Sequence, residues 1–279
     1  MKKADLHIHS NNSDGSDSIQ ELYRKIIESK IDIFALTDHD TVEGCAQMES
    51  LVQENIKFIP SIELTCRGND IKCHILGYNC DYKNKKLINL VEKGKILRRS
   101  KLDTRINYLK KTWNIILTKE ELDWLYTRKS VVKTHIANIL VNRGLEKDNV
   151  SAMKKYLDGC KSGDTRFTIE EAIETIIDSG GIPIWAHPLG GEGEKHDSEE
   201  IFVANLKKML AYGIQGLECH YSRYTKAEAE LLIKYAKKYN LLISGGSDYH
   251  VTNKDIPLVK LCSENFEVKA KNLNILERL

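Results

Sequence analysis

Short apolar runs alternate along this chain with longer stretches whose apolar residues recur every three to four positions. The runs at Ala4–His9, Ile31–Thr37, Phe58–Thr65, Lys72–Tyr78, Gly181–Ala186, Gly213–Cys219 and Leu241–Gly246 predict strands. Ser18–Lys30, Val42–Asn55, Ile169–Ser179, Ile201–Tyr212 and Thr225–Tyr239 predict amphipathic helices. Asp17 or Ser18 suits the start of the first helix, and Thr168 followed three residues later by Glu171 spells a capping box. The middle of the chain breaks the alternation. Asn84–Lys111, Lys119–Tyr126 and Val131–Asn142 are helical in period, and no convincing strand lies between Asp81 and Phe167. The pattern predicts an α/β barrel-like domain made of residues 1–80 and 168–279, with a helical insert at 81–167.

Composition narrows the picture only slightly. The 279 residues carry a net charge of +2 with no basic tail, so nothing global favours nucleic acid or a membrane surface. Seven scattered cysteines without a CxxC pair read as reduced thiols. With no apolar leader and no run long enough to span a bilayer, the expected location is the cytoplasm.

The informative feature is where histidines and carboxylates fall. His7 and His9 alternate along the first strand and so face one side. Asp14 follows in NNSDG, His39 lies in LTDHD, Glu63 ends the third strand, and His74 lies in the fourth. His187 ends the fifth strand, and Asp248 and His250 end the last. In a barrel of parallel strands the C-terminal ends converge on one face. Strand interiors usually avoid Asp and His, so packing alone does not account for nine such residues. Imidazole with carboxylate suits Mn, Fe or Zn. Nine ligand groups fit two or three divalent ions, and closely spaced ions can clamp the attacking and leaving oxygens of a phosphate ester and acidify a shared water.

The motifs DLHIHSNNSDG, ALTDHDT, IPSIELT, CHILGY, WAHP and GSDYH resemble those of the PHP family, named for polymerase and histidinol phosphatase. The resemblance implies a distorted seven-stranded (β/α) barrel and a metal-dependent phosphoesterase. It implies a first metal at His7, His9, Glu63 and Asp248, a second at Glu63, His74 and His187, and a third at Asp14, His39 and His250. Catalysis falls to Glu63, His187 and Asp248, and Asp38 and Asp40 are expected to support the metal-bound imidazoles from behind. Within the family the insert resembles that of stand-alone phosphoesterases acting on nucleoside 3′,5′-bisphosphates or on the 5′ end of short RNA. A phosphorylated small molecule of that kind is the expected partner. Phosphate contacts are expected from Lys133, His135 and Arg143 in the insert, and from His220 and Arg223 near the sixth strand. Lys133 stands where the family pattern has Arg, and Tyr224 where it has His.

Other residues carry plainer readings. Arg98 and Arg99 are expected to be solvated, His196 to lie on the surface, and Trp113, Trp124 and Trp185 to pack in cores. Neither a P-loop nor a GxSxG nucleophile motif is present. Two alternatives stand beside the nucleotide reading: a histidinol-phosphate-type phosphatase, and a metal-binding regulatory module without catalysis.

Overall fold

The helices that alternate with the strands bury one face against the sheet, and seven strands wrap into a nearly closed barrel. The computed structural model describes residues 2–279 except 69, 129, 162–166, 252–254, 265 and 267. Its strands are β1 (Ala4–Ile8), β2 (Ile33–Leu36), β3 (Lys57–Arg67), β4 (Lys72–Tyr78), β5 (Phe167–Thr168), β6 (Ile182–Trp185), β7 (Gly216–Tyr221) and β8 (Leu242–Gly246). The helices are α1 (Ile19–Glu28), α2 (Glu43–Glu49), α3 (Lys85–Trp113), α4 (Lys119–Thr127), α5 (Lys133–Asn142), α6 (Asn149–Ala152), α7 (Ile169–Asp178), α8 (Glu199–Ala211) and α9 (Lys226–Lys238). The sheet runs β1-β2-β3-β4-β6-β7-β8, with the two-residue β5 paired to β3 on the side.

Not every strand is parallel. β4 runs antiparallel to both β3 and β6, in a hairpin with β3 whose last register pair is Arg67 with Lys72. His74, third residue of β4, therefore reaches the end of the barrel where the other strands finish. The barrel closes between β8 and β1 with few ladder bonds. Asp248 N–H donates to His7 O at 2.8 Å and His9 N–H to Tyr249 O at 3.0 Å. The buried Asp5 carboxylate accepts from Ser247 N–H at 2.9 Å and Val259 N–H at 2.7 Å, taking the place of missing strand partners.

Two irregularities aim side chains. The β1–β2 register shifts between Asp5 and Ile8, and both Leu6, in the inner apolar cluster, and His7, beside Glu63, turn inward. The β7–β8 register shifts between Glu218 and His220, and Glu218 and Tyr221 both reach the same polar centre although they are three residues apart. The lower barrel interior is apolar, with Leu6, Ile59, Leu76 and Ile184 meeting Leu273 and Ile275 from the C-terminal segment. A second cluster lies between the sheet and α7, α8 and α9.

The helices between β4 and β5 divide their loyalties. Leu87, Leu90 and Val91 of α3 join the cluster outside the barrel, while Leu102 and Leu109 join a separate cluster with Leu125, Ile136, Leu140 and Leu157. Gly94 marks the crossing, since a Cβ there would lie 2.6 Å from Phe167. Ser18 caps α1 with a full capping box through Glu21. Thr168 caps α7, but Glu171 turns instead to Lys93 of α3, at 2.6 and 2.8 Å. The barrel seam has no room for a side chain at Gly246, where a Cβ would lie 2.4 Å from the His7 backbone nitrogen. Gly246→Ala is expected to force β8 from β1 and to cost at least about 1–3 kcal/mol. A thermal unfolding midpoint equal to the parent's would show the seam to be looser than described.

Candidate metal centre

All nine predicted ligands converge at the end of the barrel, and Glu63 is their hub. It lies 1% exposed, and its two oxygens face different histidines. Oε1 is 3.0 Å from His74 Nδ1 and 3.3 Å from His187 Nε2. Oε2 is 3.3 Å from the Nε2 atoms of both His7 and His9, and 3.0 Å from His39 Nδ1. Asp248 Oδ1 stands 3.5 Å from His7 Nε2 and 3.3 Å from His9 Nε2. Asp14 gathers the far side, 3.1 Å from His250 Nε2 and 3.8 Å from both His9 Nδ1 and His39 Nε2.

Three overlapping groups have ligand atoms mutually within 4.8 Å: His9, Asp14, His39 and His250; His7, His9 and Glu63; and His39, Glu63 and His74. His9, His39 and Glu63 are each shared by two groups. His187 and Asp248 stand at the edge, tied in through Glu63 and through His7 and His9. The backbone here is also strained. His187 and Asp248 have φ of 27° and 57°, a region that non-glycine residues enter at a cost of about 1–3 kcal/mol.

The donor set fits divalent cations. His7 Nε2, both nitrogens of His9, His39 Nδ1, Glu63 Oε2 and His250 Nε2 are buried with no hydrogen-bond partner among the described residues. Buried polar atoms are normally paired, and lone pairs left to converge in this way are what a cation would use. Charge points the same way. Burial works against the Glu63 carboxylate, but the imidazoles of His39, His7 and His74 outweigh it and hold its pKa well below the usual range. Burial likewise disfavours a charged His39, yet Glu63 and Asp14 raise it to about 9. His9 goes the other way, to about 4, through burial and the neighbouring His250.

Residues beyond the predicted set complete the centre. Glu218, fully buried on β7, accepts from His7 Nδ1 at 2.8 Å and from the His187 backbone N–H at 2.8 Å. It holds Nδ1 as the donor, so that Nε2 is the nitrogen left for a metal. Tyr221 donates to Asp248 Oδ2 at 3.0 Å, and burial followed by the Asp248 charge raises its pKa, keeping the hydroxyl protonated. A carboxylate inside an apolar strand, as in GLECHY, is the signal by which Glu218 was legible. Tyr221 had none, because alternation from Glu218 places it outward and only the register shift brings it in.

Asp38 and Asp40 do not back the imidazoles. Asp38 accepts from Ser10 N–H at 2.8 Å and from the Ser10 and Ser13 hydroxyls, each at 2.6 Å, and so ties down the loop carrying Asp14. Burial raises its pKa to about 6. Asp40 accepts from Thr65 N–H at 2.8 Å and from Arg98 of α3. Arg98 is therefore a bridge from the insert to the LTDHD loop rather than a solvated charge. His196 is also not a free surface residue, for it pairs with Glu228 at 2.6 Å and packs edge-on to Tyr224. Trp185 is buried as expected, but Trp113 and Trp124 are 39% and 38% exposed.

Four of the five expected phosphate contacts are engaged with other groups of the chain. Lys133 pairs with Asp158 and Arg143 with Glu121, both within the insert. His135 Nδ1 accepts from Val132 N–H at 3.1 Å, so the imidazole caps the start of α5. Its ring meets the Ser13 backbone, and burial lowers its pKa to about 4, so it is neutral near pH 7. His220 is buried, with neither nitrogen bonded among the described residues. Arg223 pairs with Glu192, which lines a cavity of about 160 Å³ over the centre together with His39, Glu63, His74, His187 and Asp248.

The proton on His39 sets a pH dependence. Metal ligation requires neutral imidazole, and without metal His39 carries a proton up to about pH 9. Loading should release protons, so affinity for Mn is expected to rise from about pH 6 to about pH 8, by up to tenfold per unit for each proton displaced. Calorimetric titrations in buffers of different ionisation enthalpy check this. Binding that is flat with pH and releases no proton would contradict it.

Comparison with known proteins agrees with this geometry. The PHP-domain family profile matches residues 5–264. A 5′-3′ exoribonuclease from Haemophilus influenzae is 32% identical over 254 residues, covering 89% of this chain and 90% of the relative. A 3′,5′-nucleoside bisphosphate phosphatase from Chromobacterium violaceum is 25% identical over 258 residues, covering 90% and 88%. Among solved structures, a candidate metal-dependent phosphoesterase from Bifidobacterium adolescentis shares the fold, with a TM-score of 0.81 at 21% identity, covering 97% of this chain and 98% of that one. Matched along nearly its whole length, and carrying the imidazole and carboxylate groups of a metal centre, the chain belongs to the PHP family and is a metal-dependent phosphoesterase.

Proposed function

We propose that the protein hydrolyses a phosphate ester of a nucleotide, either a nucleoside 3′,5′-bisphosphate or the 5′ end of a short RNA. Two relatives whose names carry those activities, at 32% and 25% identity over about nine-tenths of the chain, support this substrate class. The observation that carries the chemistry is the division of Glu63, with Oε1 turned to His74 and His187 and Oε2 to His7, His9 and His39. A carboxylate so placed suits bridging. In this reading His7, His9, Glu63 and Asp248 hold one ion, Glu63, His74 and His187 a second, and Asp14, His39 and His250 a third. Divalent Mn, Fe or Zn held there would polarise the phosphoryl oxygens and make a water nucleophilic at neutral pH.

The chain's own groups orient and shield. Glu218 holds His7, Tyr221 turns Asp248 Oδ1 toward His7 and His9, and Asp38 fixes the loop that presents Asp14. The partly exposed faces of His74, His187 and His39, at 31, 13 and 11%, mark the side from which phosphate enters. Glu218 brings the carboxylates at the centre to four, so three divalent ions would leave a surplus of about two positive charges, enough to draw a phosphate dianion. Lys133, His135, Arg143, His220 and Arg223 remain the polar groups offered for substrate contact, and Arg223 stands next to the cavity through Glu192. The insert at 81–167 acts as a recognition cap. Buried thiols suit a reducing compartment, the cytoplasm, and among the described residues no helix is long and apolar enough to cross a membrane.

Phosphate release with added Mn, screened over nucleoside bisphosphates, mononucleotides and short 5′-phosphorylated RNA, tests the substrate class. Release from none of them would overturn it. Glu63→Gln keeps the shape but removes the shared charge, and turnover is expected to fall about a thousandfold or more with the fold intact. Glu218→Gln acts one layer out and should cost about 10- to 100-fold in metal affinity. Parent-like turnover in the first variant, or parent-like metal retention in the second, would refute the assigned role.

A further inference from the structure

One cavity among the described residues is larger than the one over the metal centre. A groove of about 790 Å³ lies between α4, α5 and α6 of the insert, and reaches the barrel at Ser16, in the loop that carries Asp14. That volume is in the range of ligand sites. Ser16 Oγ lies 3.4 Å from the carbonyl oxygen of His250, so the groove opens directly beside the group of His9, Asp14, His39 and His250.

Its lining is unlike a phosphate site. Glu120, Glu121 and Asp148 contribute acid, and the carboxyls of all three are held below their usual range. Arg143 is paired to Glu121, and the lining cation Lys147 lies 3.9 Å from Asp148. A phosphate dianion would meet net negative charge here. What the groove does offer is a ring and amides. Trp124 is 38% exposed and lines it, with Arg128 5.0 Å from its ring centroid and His135 edge-on at 5.5 Å. Asn138 and Asn142, four apart on α5, line the same wall, one turn from each other. A half-exposed indole held in place, carboxamides on one wall, and acids able to accept from exocyclic amines match the requirements of a nucleobase.

We propose that this groove holds the nucleobase of the substrate while its phosphate lies at the adjoining cluster of imidazoles and carboxylates; the assignment rests on the nucleotide reading above. The charge pattern divides the substrate, with the anion going to the metal centre and the neutral, donor-bearing ring to the acidic groove. The base would thus be recognised by the insert and the phosphate by the barrel.

Calorimetric titration of adenosine 5′-monophosphate and of ribose 5-phosphate into the Mn-loaded protein separates the two halves. The parent is expected to prefer the nucleotide, and Trp124→Ala to reduce that preference about tenfold or more. Asn142→Ala, at an exposed position where folding is not at stake, should reduce it in the same direction. A parent that binds ribose 5-phosphate as well as the nucleotide, or a preference unchanged in both variants, overturns the groove assignment and leaves the phosphoesterase reading standing. A parent that binds neither compound, and releases no phosphate with Mn, overturns both.

Discussion

A carboxylate shut away from water among five imidazoles governs this molecule. Burying an isolated charge is expensive, and Glu63 is buried at the hub of the barrel end with each oxygen against histidine nitrogens. Without ions, burial disfavours a charged His7 but Glu218, Glu63 and Asp248 raise its pKa well above the usual range, and its proton and that on His39 supply the compensating charge. The same positions suit divalent cations, which would replace those protons. The barrel makes the arrangement possible by bringing strand ends from distant parts of the sequence to one place. The outer groups then fix orientation: Glu218 decides which nitrogen of His7 faces the centre, and Tyr221 decides which oxygen of Asp248 does.

Much of this was legible in the sequence because it broke local rules. Strand interiors usually avoid Asp and His, and so many of them gathered in and just after apolar strands exceed what packing requires, so HIH, the Glu of SIELT, WAHP and SDYH stood out against an apolar background. The β–α alternation was legible for the same physical reason that the fold exists, since each strand and helix must bury an apolar face. The reversal of β4 was less so. Its sequence alternates like a parallel neighbour's, and only the short link between Arg67 and Lys72, too brief for a crossover, marks a hairpin. The register shift in β7 left no local sign at all, although it decides that Tyr221 reaches the centre.

Partnerships across the chain were the hardest to see. Arg98 looks like one more charge on a basic helix until α3 brings it to Asp40, 58 residues away in sequence. Lys133, Arg143 and His135 looked like phosphate ligands by residue type and motif position. In the fold, two are ion-paired within the insert and the third is a neutral cap braced against Ser13. Residue type announces what a side chain can do, whereas the partner it finds decides what it does.

That distinction bears on how a cap contributes to a metal enzyme. A cluster of divalent ions already supplies more attraction for phosphate than a few surface cations could add, and it attracts every phosphate ester alike. Cations in the insert would raise affinity without raising discrimination. Arg98 and His135 instead hold the insert to the LTDHD loop and to the loop of Asp14, so that the cap's ring and amide groups keep a fixed distance from the metal ligands. With the base in the groove as proposed, selectivity between phosphate esters depends on the neutral part of the substrate, read by a surface whose acidity keeps the phosphate at the barrel end. Lys133 and Arg143, paired with Asp158 and Glu121, brace the insert that carries that surface.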